Sequence, residues 1–175
     1  RNPELRRGSG GERFPTPITV ANSAIRTYHR SGALVAHQYL NRTFDQSSYW
    51  GPNGPPQARG WAAAIRDSFE TYMRLANRDP RLWVPATVSV DVDVGAFTVG
   101  VKLDVVVLDE AGCVARIALW DKDPMPHEQM VLLAAPILAA LATEFGADRS
   151  AGVEFWHLRS GTQVAIGPEE AAAAT

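Results

Sequence analysis

Gly100-Val101-Lys102-Leu103-Asp104, then Asp109-Glu110-Ala111-Gly112, then Leu119-Trp120-Asp121-Lys122 form the stretch that decides the fold. Phe97, Val99, Val101, Leu103, Val105 and Val107 alternate with Thr98, Gly100, Lys102 and Asp104, a period of two that predicts a strand with one buried face. The acidic, Gly-ended tetrapeptide is a hairpin connection, and Val114 to Lys122 returns as the next strand. Upstream, Val88, Val90, Val92 and Val94 alternate with Ser89, Asp91 and Asp93, and Gly95-Ala96 makes the turn between.

Outward from this β region the period becomes helical. Ile25, Tyr28, Val35 and Tyr39 predict a first helix beginning near Asn22 or Ser23, with Gly32 its weak point. Thr43 to Gln57, with Gly51-Pro52-Asn53-Gly54-Pro55-Pro56, reads as an irregular loop, either disordered or a lid or partner-binding segment. Trp61, Ile65, Phe69, Tyr72 and Ala76 share one stripe of a second helix over residues 58–77, a core-facing pattern, and Asp79-Pro80 stops it. After the hairpin, residues 127–145 form an Ala/Leu-rich helix that Pro136 should kink or split, and Gly146 ends it. Gly152 to Leu158 and Thr162 to Ile166 are a last pair of strands across Arg159-Ser160-Gly161. The order α-α-β-β-β-α-β-β makes an α/β fold with a central mixed sheet of about five strands flanked by helices. The predicted domain spans 18–166, between an Arg/Gly/Pro-rich flexible arm at 1–17 and a frayed tail at 167–175.

Composition narrows the function classes. The chain has 46% hydrophobic and 21% charged residues and a formal net charge of −2, ordinary values that give no global attraction to nucleic acid. Cys113 is the one cysteine, which excludes an internal disulfide and a Cys-rich zinc site. No uninterrupted apolar run reaches the roughly 18 residues a membrane span needs, so the expectation is a cytoplasmic protein without a membrane partner. The four histidines lack metal-ligand spacing, and Asp91 with Asp93 reads as the solvated face of an edge strand.

Several local sequences resemble the PD-(D/E)XK nuclease superfamily, in particular its RecB-like branch, over Ile18 to about Ile166. Ile18-Thr19-Val20-Ala21-Asn22-Ser23-Ala24-Ile25 with Tyr28 is similar to the opening helix. Gly100 to Asp104 is similar to the strand presenting the first metal-binding aspartate, and Leu119-Trp120-Asp121-Lys122 falls where the family carries acid-x-lysine. Glu128-Gln129 resembles the helix start after the active site, and Val153 to Leu158 with Gly161 the closing strand and turn. The resemblance implies a restriction-endonuclease-like core and metal-assisted phosphodiester hydrolysis. Asp104 and Asp121 would hold Mg2+ or Mn2+, Lys122 would position the attacking water, and Gln129 would orient the site.

Strand parity tells against an ordinary site. Acid-x-lysine places both groups on one face, but Lys122 shares its face with Trp120, whereas Asp121 points the other way. An indole is no ligand for magnesium. The expectation is therefore a nuclease-fold domain with a degenerate centre, associated with nucleic acid or structural. Trp120 would stack on a base, and Lys102 and Lys122 would contact phosphates. An active divalent-metal-dependent DNA nuclease is one alternative. A protein-interaction module that captures a partner or oligomerises, without binding DNA, is another.

Overall fold

The computed structural model describes residues 16–84, 88–94 and 97–173. Most of the predicted arm, residues 1–15, lies outside them, as does the Gly95-Ala96 turn. Helix α1 is Pro17–Ser31, starting earlier than expected because Thr16 caps it: its hydroxyl accepts from the Thr19 amide, and Pro17 supplies the first-turn geometry. The helix stops at Gly32, which has φ +85° and donates its amide to Tyr28 O. A second helix, α2 (Ala33–Asp45), starts directly after it. Helix α3 is Pro56–Ala76. The predicted loop at 43–57 is therefore shorter than expected, both of its ends being helical. Within it, Gly51 approaches the chain so closely that a β-carbon would stand 2.4 Å from Ser47 O.

Among the described residues, seven strands follow α3: β1 (Leu82–Val84), β2 (Val88–Val94), β3 (Phe97–Leu103), β4 (Val106–Asp109), β5 (Gly112–Leu119), β6 (Ser150–His157) and β7 (Thr162–Ile166). Helix α4 (His127–Phe145) joins β5 to β6, and α5 (Pro168–Ala173) ends the described chain. The main sheet has the order β1-β4-β5-β6-β7, with β5 and β6 parallel and the other neighbours antiparallel. The α/β class, with a mixed five-stranded sheet between helices, is as the sequence indicates.

The long strand expected from Phe97 to Val107 is two strands. The chain bends at Asp104, so β3 pairs only with β2 in a separate hairpin while β4 enters the main sheet. The bend also reverses the facing of the apolar residues. Val101 and Leu103 pack with α4, whereas Val105 and Val107 pack toward α1 and α3. Burial is the reason. Helix α4 is apolar almost all round, and one sheet face cannot cover it. The β2–β3 hairpin lies across its second side, where Val88, Val92, Val101 and Leu103 join Val131, Ala134 and Leu138 in one cluster. Helix α4 has a mean hydropathy of 1.4, long and apolar enough by composition alone to cross a membrane; its two packed sides bury Met130, Val131, Ala134, Leu138, Ala140 and Leu141, while Leu132 and Leu133 are exposed. Helix α4 is continuous through Pro136, so of the expected kink or split, the split is absent.

The sheet separates two cores. Val114, Trp120, Trp156 and Leu158 face α1, α2 and α3; Cys113, Ala115, Leu119, Val153 and Phe155 face α4. The tail expected to fray is instead helical at α5. Pro168 opens it, Glu169 and Glu170 stand in its first turn where the helix dipole favours them, and Ala171 is buried. His127 Nε2 lies 2.7 Å from Glu170 Oε1, tying α5 to the start of α4.

Candidate functional site

Strand β5 ends at Leu119, and that end is where the functional candidates gather. The ladder closes there through the Leu158 amide, which donates to Leu119 O at 3.0 Å. His157 Nε2 donates to the Asp121 carbonyl at 3.0 Å and its Nδ1 meets Ser160 Oγ at 2.6 Å, so β6 holds the backbone just beyond β5. Trp120 keeps the strand alternation and turns toward α1. Asp121, Lys122 and Asp123 have left the strand, so the parity that separates Asp121 from Lys122 on paper does not apply. Both line a groove of about 480 Å3 together with Trp61, Asp123, Met125 and Gln129.

Asp104 is elsewhere. It lines a separate cavity of about 100 Å3 with Asn22, Tyr72, Lys102 and Arg116, between α1, α3 and the bend that separates β3 from β4. Arg26 Nη1 on α1 makes an ion pair with Asp104 Oδ1, while Arg26 Nη2 donates to Ser23 Oγ at 2.8 Å. The structure thus brings Asp121, Lys122 and Gln129 to one place and Asp104 with Lys102 to another. The two expected metal ligands do not share a cavity.

Trp120 is 3% exposed, and its indole Nε1 donates to Asn22 Oδ1 at 3.0 Å. Its ring sits in the core beside α1, so the face expected to stack on a base is covered. The opposite correction applies to Trp61. The helical stripe places it in the core, yet it is 41% exposed and lines the groove beyond β5. Lys102 and Lys122, expected to contact phosphates, are exposed, as are Arg30 and Arg74, whereas Arg66 is held by Asp45 at 2.8 Å and Asn41 at 2.9 Å.

The sequence reading missed a charged cluster on the α1/α3 side of the sheet. Arg116, mid-strand on β5, is 3% exposed and lies 3.7 Å over the Trp156 ring. It pairs with Asp79 Oδ2, and its Nε lies 3.5 Å from Glu154 Oε2 without a hydrogen-bond partner. Arg81 bridges the same two acids, reaching Asp79 Oδ2 at 2.7 Å and Glu154 Oε1 at 2.6 Å. Burial pushes the Asp79 carboxyl upward, but hydrogen bonds from Arg81 and the charges of both arginines outweigh this and hold it at about 2. His29 Nε2 contacts Tyr72 Oη at 2.6 Å, and its ring stacks on Trp83 at 5.5 Å between centroids. Burial, reinforced by Arg116 and opposed by Asp79, lowers His29 to about 4, and burial raises the Tyr72 hydroxyl. The available signal was one arginine inside the apolar run Val114-Ala115-Arg116-Ile117-Ala118.

A divalent cation needs several converging oxygens. Among the described residues no group of three or more His, Cys, Asp or Glu side chains converges in that way. Asp104 is committed to Arg26, and the position expected of a second acid holds an indole bonded to Asn22. The residues present do not fit a magnesium site. Compared with known proteins, the chain matches no family model and no curated protein.

Proposed function

We propose that this chain is a nuclease-like α/β domain of RecB-like type whose hydrolytic centre has been replaced by internal contacts, and that it acts as a non-catalytic structural or binding module. One observation carries the reading: a guanidinium, Arg26, occupies the carboxylate of Asp104. A permanent cation on α1 satisfies the charge that a metal ion would otherwise satisfy. The Trp120–Asn22 hydrogen bond completes the replacement on the neighbouring strand end.

A structural or protein-binding role is supported over association with nucleic acid. Counterion release needs several unpaired cations on one surface. Arg26 and Arg66 are spent on Asp104 and Asp45, Arg30 and Arg74 are exposed outside any ion pair among the described residues, and the chain's net charge is −2. Lys102 and Lys122 line different cavities. The test is a magnesium and manganese titration with single- and double-stranded DNA and RNA, using Lys122→Ala as control. The proposal expects no metal-dependent cleavage and no salt-sensitive binding. Cleavage that disappears in Lys122→Ala would overturn it in favour of an active nuclease, and salt-sensitive binding without cleavage would restore the nucleic-acid role.

A further inference from the structure

The groove beyond β5 does not belong to the Asp104 centre, and its lining has a chemistry of its own. Trp61 offers the one exposed indole, all five tryptophans lying within the described residues. Asp121 and Asp123 line the same groove, both are exposed, and neither side chain takes part in an ion pair among the described residues. Lys122 offsets one of these charges, leaving the groove acidic by one. Its volume of about 480 Å3 lies within the roughly 300–1,000 Å3 of ordinary ligand pockets. An aromatic face beside carboxylates is the recognition chemistry of a guanidinium. The protein already uses that pairing internally, where Arg116 lies over Trp156 beside Glu154.

We propose that the groove docks the arginines of the chain's own N-terminal segment, residues 1–15. That segment lies outside the described residues. It carries Arg1, Arg6, Arg7 and Arg13 against only Glu4 and Glu12. It joins the fold at Thr16, the cap of α1. Helix α1 passes from the end of β5 toward β1. Asn22 meets Trp120 at the end of the strand, and three residues after Arg26 reaches Asp104, His29 stacks on Trp83 of β1. The start of α1 therefore points past Trp120, toward Asp121. Extended chain covers roughly 3.3–3.6 Å per residue, so the segment from Thr16 back to Arg13, Arg7 and Arg6 can reach the groove. Charge complementarity and reach favour this occupant over a basic segment of another protein. The inference does not depend on whether the domain is catalytically inert.

Trp61 reports docking through acrylamide quenching of its fluorescence in the full chain, with Trp61→Phe supplying the background of the other four indoles. The expected result is that Arg6→Ser/Arg7→Ser/Arg13→Ser lowers the docked-to-undocked ratio about ten-fold, the scale of one exposed cation–π contact and two surface ion pairs. Quenching of Trp61 rises accordingly. Asp121→Asn/Asp123→Asn raises it equally, and high salt raises it in the parent chain. A charge exchange, Arg6→Asp/Arg7→Asp/Arg13→Asp with Asp121→Lys/Asp123→Lys, restores protection that neither half restores alone. Should the aspartate variants fail to fold, the arginine variants carry the test alone. Quenching unchanged by the arginine substitutions would overturn the proposal. Protection that grows with protein concentration would overturn it too, since the arm would then dock on a second copy.

Discussion

Replacing Arg116 with methionine keeps an unbranched apolar stem on β5 and removes the guanidinium and its charge. The guanidinium lies over Trp156 at 3.7 Å and pairs with Asp79, whose side chain is 11% exposed. Glu154, 15% exposed, stands 3.5 Å from Nε. Losing one partner of a buried pair costs about 3–5 kcal/mol, because the remaining charge stays buried. Arg81 remains on both acids, with contacts at 2.7 and 2.6 Å, which places the loss at the low end. The unpartnered Nε also disappears, returning part of its desolvation cost. The net expectation is a loss of about 3 kcal/mol, a large share of the roughly 5–15 kcal/mol that holds a domain folded. It is read as a fall in urea midpoint at constant slope, or a Tm lower by roughly 6–12 °C. Arg116→Met/Glu154→Gln removes the carboxylate charge as well. The double variant should be more stable than the summed single losses predict, by about 1–3 kcal/mol. A loss within about 0.5 kcal/mol, or strict additivity, would refute the cluster as a coupled unit.

Two further outcomes follow from named contacts. His29 protonates at 6.5 in the unfolded chain and near 4 in the folded one, so the unfolded state binds more protons between those values. Stability should be full above pH 6.5 and fall by up to roughly 3 kcal/mol by pH 4, with His29→Phe flattening that part of the pH–stability curve. Trp120→Ala should cost about 3–5 kcal/mol, since it empties a core site and strands Asn22 Oδ1. It should leave any nucleic-acid affinity per folded molecule unchanged, and an affinity lost in parallel with the ring would contradict its place in the core.

The periodic parts of the chain were legible because burial on one face writes a period into the sequence. Val88 to Val94 and the stripe Ile65-Phe69-Tyr72 read correctly, whereas the single first helix expected to run through its weak point at Gly32 is two helices. The alternation from Phe97 to Val107 misled because a strand bent at Asp104 still alternates on both sides of the bend, while its buried face changes. Trp61 and Trp120 show the same limit at the site. A stripe cannot report that one of its members opens onto a groove, and parity cannot report that a strand ends at Leu119. Arg26 reaches Asp104, and Arg116 reaches Asp79, across 78 and 37 positions, separations that local pattern does not encode.

The central claim is that Arg26 has taken the place of a divalent cation at Asp104. The direct measurement is calorimetric titration of the full chain with Mn2+, beside Asp104→Asn. The account predicts no saturable one-to-one binding in either protein and superimposable heats. Stoichiometric Mn2+ binding by the parent chain that Asp104→Asn abolishes would contradict it.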